Sequence, residues 1–279
     1  MLEKDEEVSF LKVKLRPGIS KLNFFTFLLS QFITYMVVSY LLVLAILLLQ
    51  ENYEVKSEDI GRIAGGIGTY TEIIVIFYSI FIGYVFDTFG RKLPCIVGLL
   101  ACAVGLIALP FGKQVYPTFF LLRTLISLGL ITNITSPFIP DYVVESSQGR
   151  ASSYNTLMII FSRILTSYGI LKLSEIVSLD YIFVVTGILV LVFTVFIFFT
   201  LKDVKVSKEN KVEIDPELKN KEIKAALTKE GAPFYFSFGV NFVTKLGAVI
   251  IGTFTLLLYT NEYEKKEAKD KLALVSLIS

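Results

Sequence analysis

The sequence predicts an all-α polytopic membrane protein: a six-helix transmembrane bundle, a charged linker and a seventh transmembrane helix. Three observations carry this. The composition is 54% hydrophobic and 14% aromatic with a mean hydropathy of +0.67, outside the range of soluble domains. Seven apolar runs, at 24–49, 66–86, 94–111, 117–138, 154–171, 181–200 and 233–259, can each cross about 30 Å of hydrocarbon at about 1.5 Å per residue. None alternates polar and apolar positions, so they read as helices and not as barrel strands.

Residues 1–23, opening "MLEKDEEVSFLKVKLRPG", form a mixed-charge leader whose acids argue against a cleavable transit peptide. The first run behind it is too long for a secretory signal and lacks a small-residue cleavage site. The third run holds both cysteines, Cys95 and Cys102, which are seven positions and so about 10 Å apart along the helix, too far to bridge. The linker, 201–232, contains "DPELKNKEIKAALTKEG". Asp215 is placed to cap a helix, Pro216 suits its first position and Gly231 ends it, which predicts a short surface helix over 216–229; a solvated spacer is the other reading. The tail, 260–279, closes on the apolar piece Leu272 to Ile278, which is too short to span and reads as the start of an eighth helix.

Charge orients these elements. With the N-terminus on the cytoplasmic or matrix-equivalent side, the connections on that side hold sixteen Lys and Arg and those on the opposite side eight, the asymmetry expected of a cytoplasmic N-terminus. The cations are divided among loops, so a net charge of +2 does not point to nucleic acid. The plasma membrane and the mitochondrial inner membrane both suit such a protein. With no His in the chain, imidazole metal sites and Ser-His catalysis drop out. The sequence also offers no nucleophile–base pair, metal cluster or phosphate-cradling glycine loop, so neither an enzyme nor a cofactor is expected.

The hairpin between the second and third runs reads "GYVFDTFGRKLP". Its Gly83-x-x-x-Asp87-x-x-Gly90-Arg91-Lys92 resembles the signature loop of the major facilitator superfamily of transporters, with Thr88 where the family usually has Arg. In that setting Gly83 lets a helix approach closely, Gly90 permits a turn that a side chain would block, and Asp87 caps a facing helix or pairs with a cation. "PDYVVESSQGRASSYN", between the fourth and fifth runs, is similar to the P-x-Y-x-x-E…R-G segment of sugar-porter-like members through Pro140, Tyr142, Glu145 and Arg150, although Gly149-Arg150 reverses the usual order. Arg123, Ser127 and Gly129 are similar to a third family pattern, R-x-x-x-G-x-G. The resemblance implies that Gly83, Asp87, Gly90, Arg91, Lys92, Glu145 and Arg150 form a conformational network on the inner side, with Arg91 near Glu145.

Charges inside hydrocarbon are costly and mark function or pairing. Four stand in the runs: Glu72, Arg123, Arg163 and Lys245. Glu72 and Arg123 share a depth of about 9–10 Å below the outer surface, so an ion pair between them is expected, either to fix packing or to act on a solute. Three cations against one carboxylate favour an anionic solute. Gln31, Tyr35 and Asn133 are cavity candidates by analogy with the family's lining helices.

Two function classes follow. The first is a secondary transporter moving a small, anionic solute by alternating access once completed by a second half. The second is a non-transporting accessory subunit derived from a transporter and embedded in a large membrane complex. In either case the expected surroundings are the lipid bilayer and other membrane proteins.

Overall fold

The computed structural model describes residues 9–135 and 138–203, together with Val240 and Val243. A hairpin comes first. Strands β1 (Ser9–Phe10) and β2 (Val13–Lys14) pair antiparallel, with Leu11 and Lys12 turning at positive φ between them. The described part of the leader, from Ser9 onward, is therefore folded, which its charges alone did not indicate.

Helix α1 (Lys21–Glu51) begins with Ser20 accepting from the Asn23 amide while Asn23 reaches back to the Ser20 amide, a reciprocal cap. Helix α2 (Ser57–Phe89) starts with Glu58 and Asp59 in its first turn, where carboxylates complement the helix dipole. Its 33 residues extend about 50 Å, well beyond the apolar run 66–86, so it projects past the hydrocarbon. Helix α3 (Lys92–Phe111) follows at once. Helix α4 (Phe120–Ile134) is entered through a wider turn at Val115–Phe119, and the short α5 (Phe138–Tyr142) lies beyond it. Helix α6 (Gln148–Ile164) continues through a looser turn, Leu165–Ile170, to Leu173, and α7 (Leu179–Thr200) completes the bundle.

Among the described residues, five helical stretches are long and apolar enough to cross a membrane: α1, α2, α3, Val115–Tyr142 and α7. The expected fifth span, 154–171, is helical within α6 and its extension, although it is not among those five stretches. The linker helix, nearly all of the seventh run and Lys245 lie outside the described residues.

Helix α3 packs between α4 and α7, α1 lies along α6, and α2 leans on α4. The α3–α4 contact is the tightest, because Gly98 and Gly129 face each other there and a Cβ on Gly129 would overlap the Gly98 carbonyl. Close approach was expected at Gly83, but a Cβ there would meet nothing within 4 Å among the described residues. The reason is that α2 turns its Gly83 side away from the bundle, together with exposed Ile76, Phe77, Ile80 and Tyr84.

Candidate functional site

At one end of the bundle the α2–α3 turn, α5 and the residues after α7 meet at Arg91. Gly90 ends α2 at φ +80°, a conformation that strains any residue with a Cβ, and its backbone packs against the Asp203 carboxylate. That carboxylate accepts from the Arg91 amide at 3.0 Å. The Arg91 side chain, 13% exposed, pairs with Asp141 at 3.3 Å and with Asp87 at 3.4 Å. The signature loop is thus tied to the end of α4–α5 and to the residues after α7. Lys92 holds its ammonium 5.1 Å from the Phe198 ring of α7.

Expectation and structure part company over Glu145. Arg91 takes Asp141 as its buried partner, while Glu145 is exposed on the turn before α6 and makes no ion pair within 4 Å among the described residues. Asp141 precedes it by about one helical turn and sits on the α5 face that meets the loop. Its only sequence signal was its place between Pro140 and Tyr142. Arg150 likewise turns from the loop to the N-terminal hairpin, donating to the Lys12 carbonyl at 3.1 Å.

The hairpin closes the rim. Leu15 bridges Val143, the Arg16 amide donates to the Tyr142 carbonyl at 2.8 Å, and the Val144 amide donates to the Lys14 carbonyl at 3.1 Å. The Tyr142 hydroxyl donates to the Lys202 carbonyl, and the Lys202 ammonium donates to the Gly18 carbonyl at 2.6 Å. Beneath these bonds Phe24, Phe27, Phe138 and Tyr142 stack with ring centroids 5.2–6.4 Å apart. Neither Asp203 nor the hairpin carries a sequence signal for this role, because the Asp203 carboxylate and the hairpin strands both bond to backbone groups that only the fold brings near.

Within the membrane-spanning part, two seams hold charge. Thr71 of α2 and Thr124 of α4 stand 3.3 Å apart, oxygen to oxygen, and Tyr70 meets Phe120 edge to face at 6.5 Å. Glu72 and Arg123, their chain neighbours, flank this seam; Glu72 is exposed, Arg123 half-buried, and the Glu72 charge acts on Arg123 although neither makes an ion pair within 4 Å among the described residues. On the other seam Arg163 of α6 approaches Tyr35 of α1, both half-buried, closely enough for its charge to act on the phenol. About two turns earlier on α6, Asn155 holds a buried side-chain oxygen without a hydrogen-bond partner among the described residues.

The remaining cavity candidates tie helices together. Gln31, buried, donates to the Asn133 carbonyl at 3.1 Å, and the Asn133 amide donates to the Cys95 carbonyl at 3.2 Å, linking α1, α4 and α3. These bonds stabilise close packing in a medium without water.

The comparisons with known proteins agree with this arrangement. The family model of the Major Facilitator Superfamily matches residues 27–278. A crystal structure of a D-xylose–proton symporter has a TM-score of 0.64 at 16% identity, over 92% of this chain and 66% of that one. The xylose transporter XylE from E. coli, partially occluded and inward open, has a TM-score of 0.63 at 16% identity, over 92% of this chain and 70% of that one. Its inward-open form gives 0.55 at 15% identity, over 91% and 79%. No curated protein sequence matches. The chain spans about two thirds of the length of the first symporter, and likeness at such identities establishes the fold alone. With nine-tenths of its sequence matched by the family model and this bundle as its structure, the chain belongs to the Major Facilitator Superfamily.

Proposed function

We propose that this chain works as a secondary transporter that moves a small organic anion by alternating access. The observation that carries the anion is the charge balance inside the bundle: among the described spans, Arg123 and Arg163 stand against the single carboxylate Glu72. Unpaired guanidinium groups in low dielectric attract an anion strongly. Tyr35 beside Arg163 offers a hydroxyl to the same solute, and Asn155 offers an acceptor that burial leaves costly when unbonded. The solved symporters of this fold carry xylose with a proton, so a neutral sugar is the natural competitor.

On this reading the rim around Arg91 is the inner gate and the N-terminus is cytoplasmic, in keeping with the cation excess of the connections at that end. Gly90, Asp87 and Lys92 set the gate's turn and its charges, while Arg150 ties it to the hairpin. Alternating access also needs a second bundle to rock against. The exposed apolar faces of α2 and α6, including Phe77, Ile80, Leu157 and Phe161, are suited to meet it, on the same polypeptide or another.

The test is uptake into vesicles by the reconstituted protein, with a panel of labelled small carboxylates, phosphates and sugars. Anion uptake is expected, and Arg163→Gln should lower it at least ten-fold, since losing one buried ionic contact costs well over about 1.4 kcal/mol. Uptake of sugars with none of anions would overturn the anion. Uptake of neither by folded protein would favour an accessory role.

A further inference from the structure

We propose that the end of the bundle carrying the hairpin is a docking surface for the headgroups of anionic phospholipids. The surface is assembled by the tertiary fold. The bond from Arg150 to the Lys12 carbonyl brings two cations to one point, and the bond from Lys202 to the Gly18 carbonyl brings a third beside Arg16 and Lys21. Lys12, Lys14, Arg16, Lys21, Arg150 and Lys202 are all exposed. Among the described residues at this end there are four carboxylates, of which Asp87, Asp141 and Asp203 are engaged at Arg91 and Glu145 is not.

The opposite end provides the contrast. Its connections hold six carboxylates and four cations among the described residues, against four carboxylates and eight cations here. Two of the helices that begin there follow the dipole, with Glu58 and Asp59 opening α2 and Asp180 opening α7. At the basic end three long helices oppose it: Lys21, Lys92 and Arg150 lie in the first turns of α1, α3 and α6, and no carboxylate shares those turns, although the short α5 carries Asp141 in its own. Cations gathered there repel one another and the helix ends, and an external anion relieves both. Because these residues stand where the spans leave the membrane, the anion within reach is a lipid phosphate. Each Lys or Arg near an anionic leaflet strengthens attachment about five-fold.

The experiment measures lipid retention by native mass spectrometry. The full chain is extracted from vesicles of phosphatidylcholine mixed with phosphatidylglycerol. The wild type should retain phosphatidylglycerol in preference. Raising salt from 0.1 M to 1 M, which shortens the screening length from about 10 Å to about 3 Å, should erase the preference. Lys12→Gln with Lys21→Gln should weaken retention about 25-fold, two cations at about five-fold each. Those two are chosen because Arg16, Arg150 and Lys202 hold the hairpin by side-chain hydrogen bonds. Lys113→Gln, at the other end, should change nothing. Equal retention of both lipids by the wild type at low salt would overturn the proposal, as would a double variant that retains phosphatidylglycerol like the wild type. Displacement of the lipid by millimolar inorganic phosphate would overturn it too, since the site would then be one for free anions. Should the double variant fail to fold, the salt dependence of the wild type decides.

Discussion

The two ends of the bundle hold their helices by different means. At the basic end, segments distant in sequence cross-link: the hairpin grips Val143 and Val144, Asp203 grips the α2–α3 turn, and Lys202 grips the chain before α1. At the acidic end the ties seen among the described residues are separate bonds. Asn52 bonds Asp180, the Tyr53 hydroxyl donates to the Leu109 carbonyl at 2.6 Å, and Tyr53 packs edge-on against Phe119 at 5.1 Å. On the alternating-access reading proposed above, a conformational switch belongs at the basic rim: a network of charge-assisted bonds can be opened by a change of partner, whereas separate single bonds have no second partner to exchange.

The comparison is broken most strongly at Asp141. Asp141→Asn leaves the largely buried Arg91 with only the exposed Asp87, which should cost about 2–4 kcal/mol of stability. For a chain of this size that lowers the midpoint of thermal unfolding in detergent by at least several degrees. Asp87→Asn removes an exposed partner one turn away and should cost less than about 0.5 kcal/mol. Equal costs for the two would mean that the rim is not organised around a buried pair.

Next comes Gly90→Ala. The new methyl group meets positive φ and the Asp203 carboxylate together, and should cost about 1–3 kcal/mol while releasing Asp203 from the Arg91 amide. Faster proteolysis just after α7 would report that release. Unchanged cleavage and stability would show that the residues after α7 do not hold the turn.

The smallest effect is expected at the acidic end, where Tyr53→Phe removes one buried hydrogen bond and should cost about 1 kcal/mol. It also has a pH signature. Burial pushes the Tyr53 hydroxyl up to about 12 from its ordinary 10.0, so the folded chain favours the neutral phenol. That contribution is complete below pH 10 and is lost as pH rises toward 12, and the Phe variant should lack this part of the alkaline decline. An identical alkaline decline in wild type and variant would assign it to other groups.

The legible part of the site was the part made by local geometry. Gly90 was readable because a hairpin so tight needs positive φ. Asp87 was readable only as a cap for a facing helix or a partner for some cation; the cation it meets, Arg91, lies one turn away on its own loop. The partner of Arg91 was not readable. Asp141 and Glu145 lie four positions apart in one motif, and which of them faced the loop depended on α5 ending at Tyr142 and on the strand-like bridge that follows. The polar residues of the spans were ambiguous for a related reason. Gln31 and Asn133 are as suited to a cavity as to a helix contact, and only the α1–α4–α3 packing assigned them to the contact.

The sequence by itself determined that the chain crosses a membrane as a helical bundle, where most of its spans fall, which connections carry positive charge and which family's loops it bears. Those properties follow from hydrophobicity, helical rise and turn chemistry, which act within a few residues. The tertiary structure alone decided that the leader folds into a hairpin on the Val143 edge, that Asp203 latches the Gly90 turn and that Arg91 chooses Asp141. Each of these joins backbone or side-chain groups far apart in the chain. Their bonds form only after hydrophobic packing has set the helices side by side, so no local pattern encodes them.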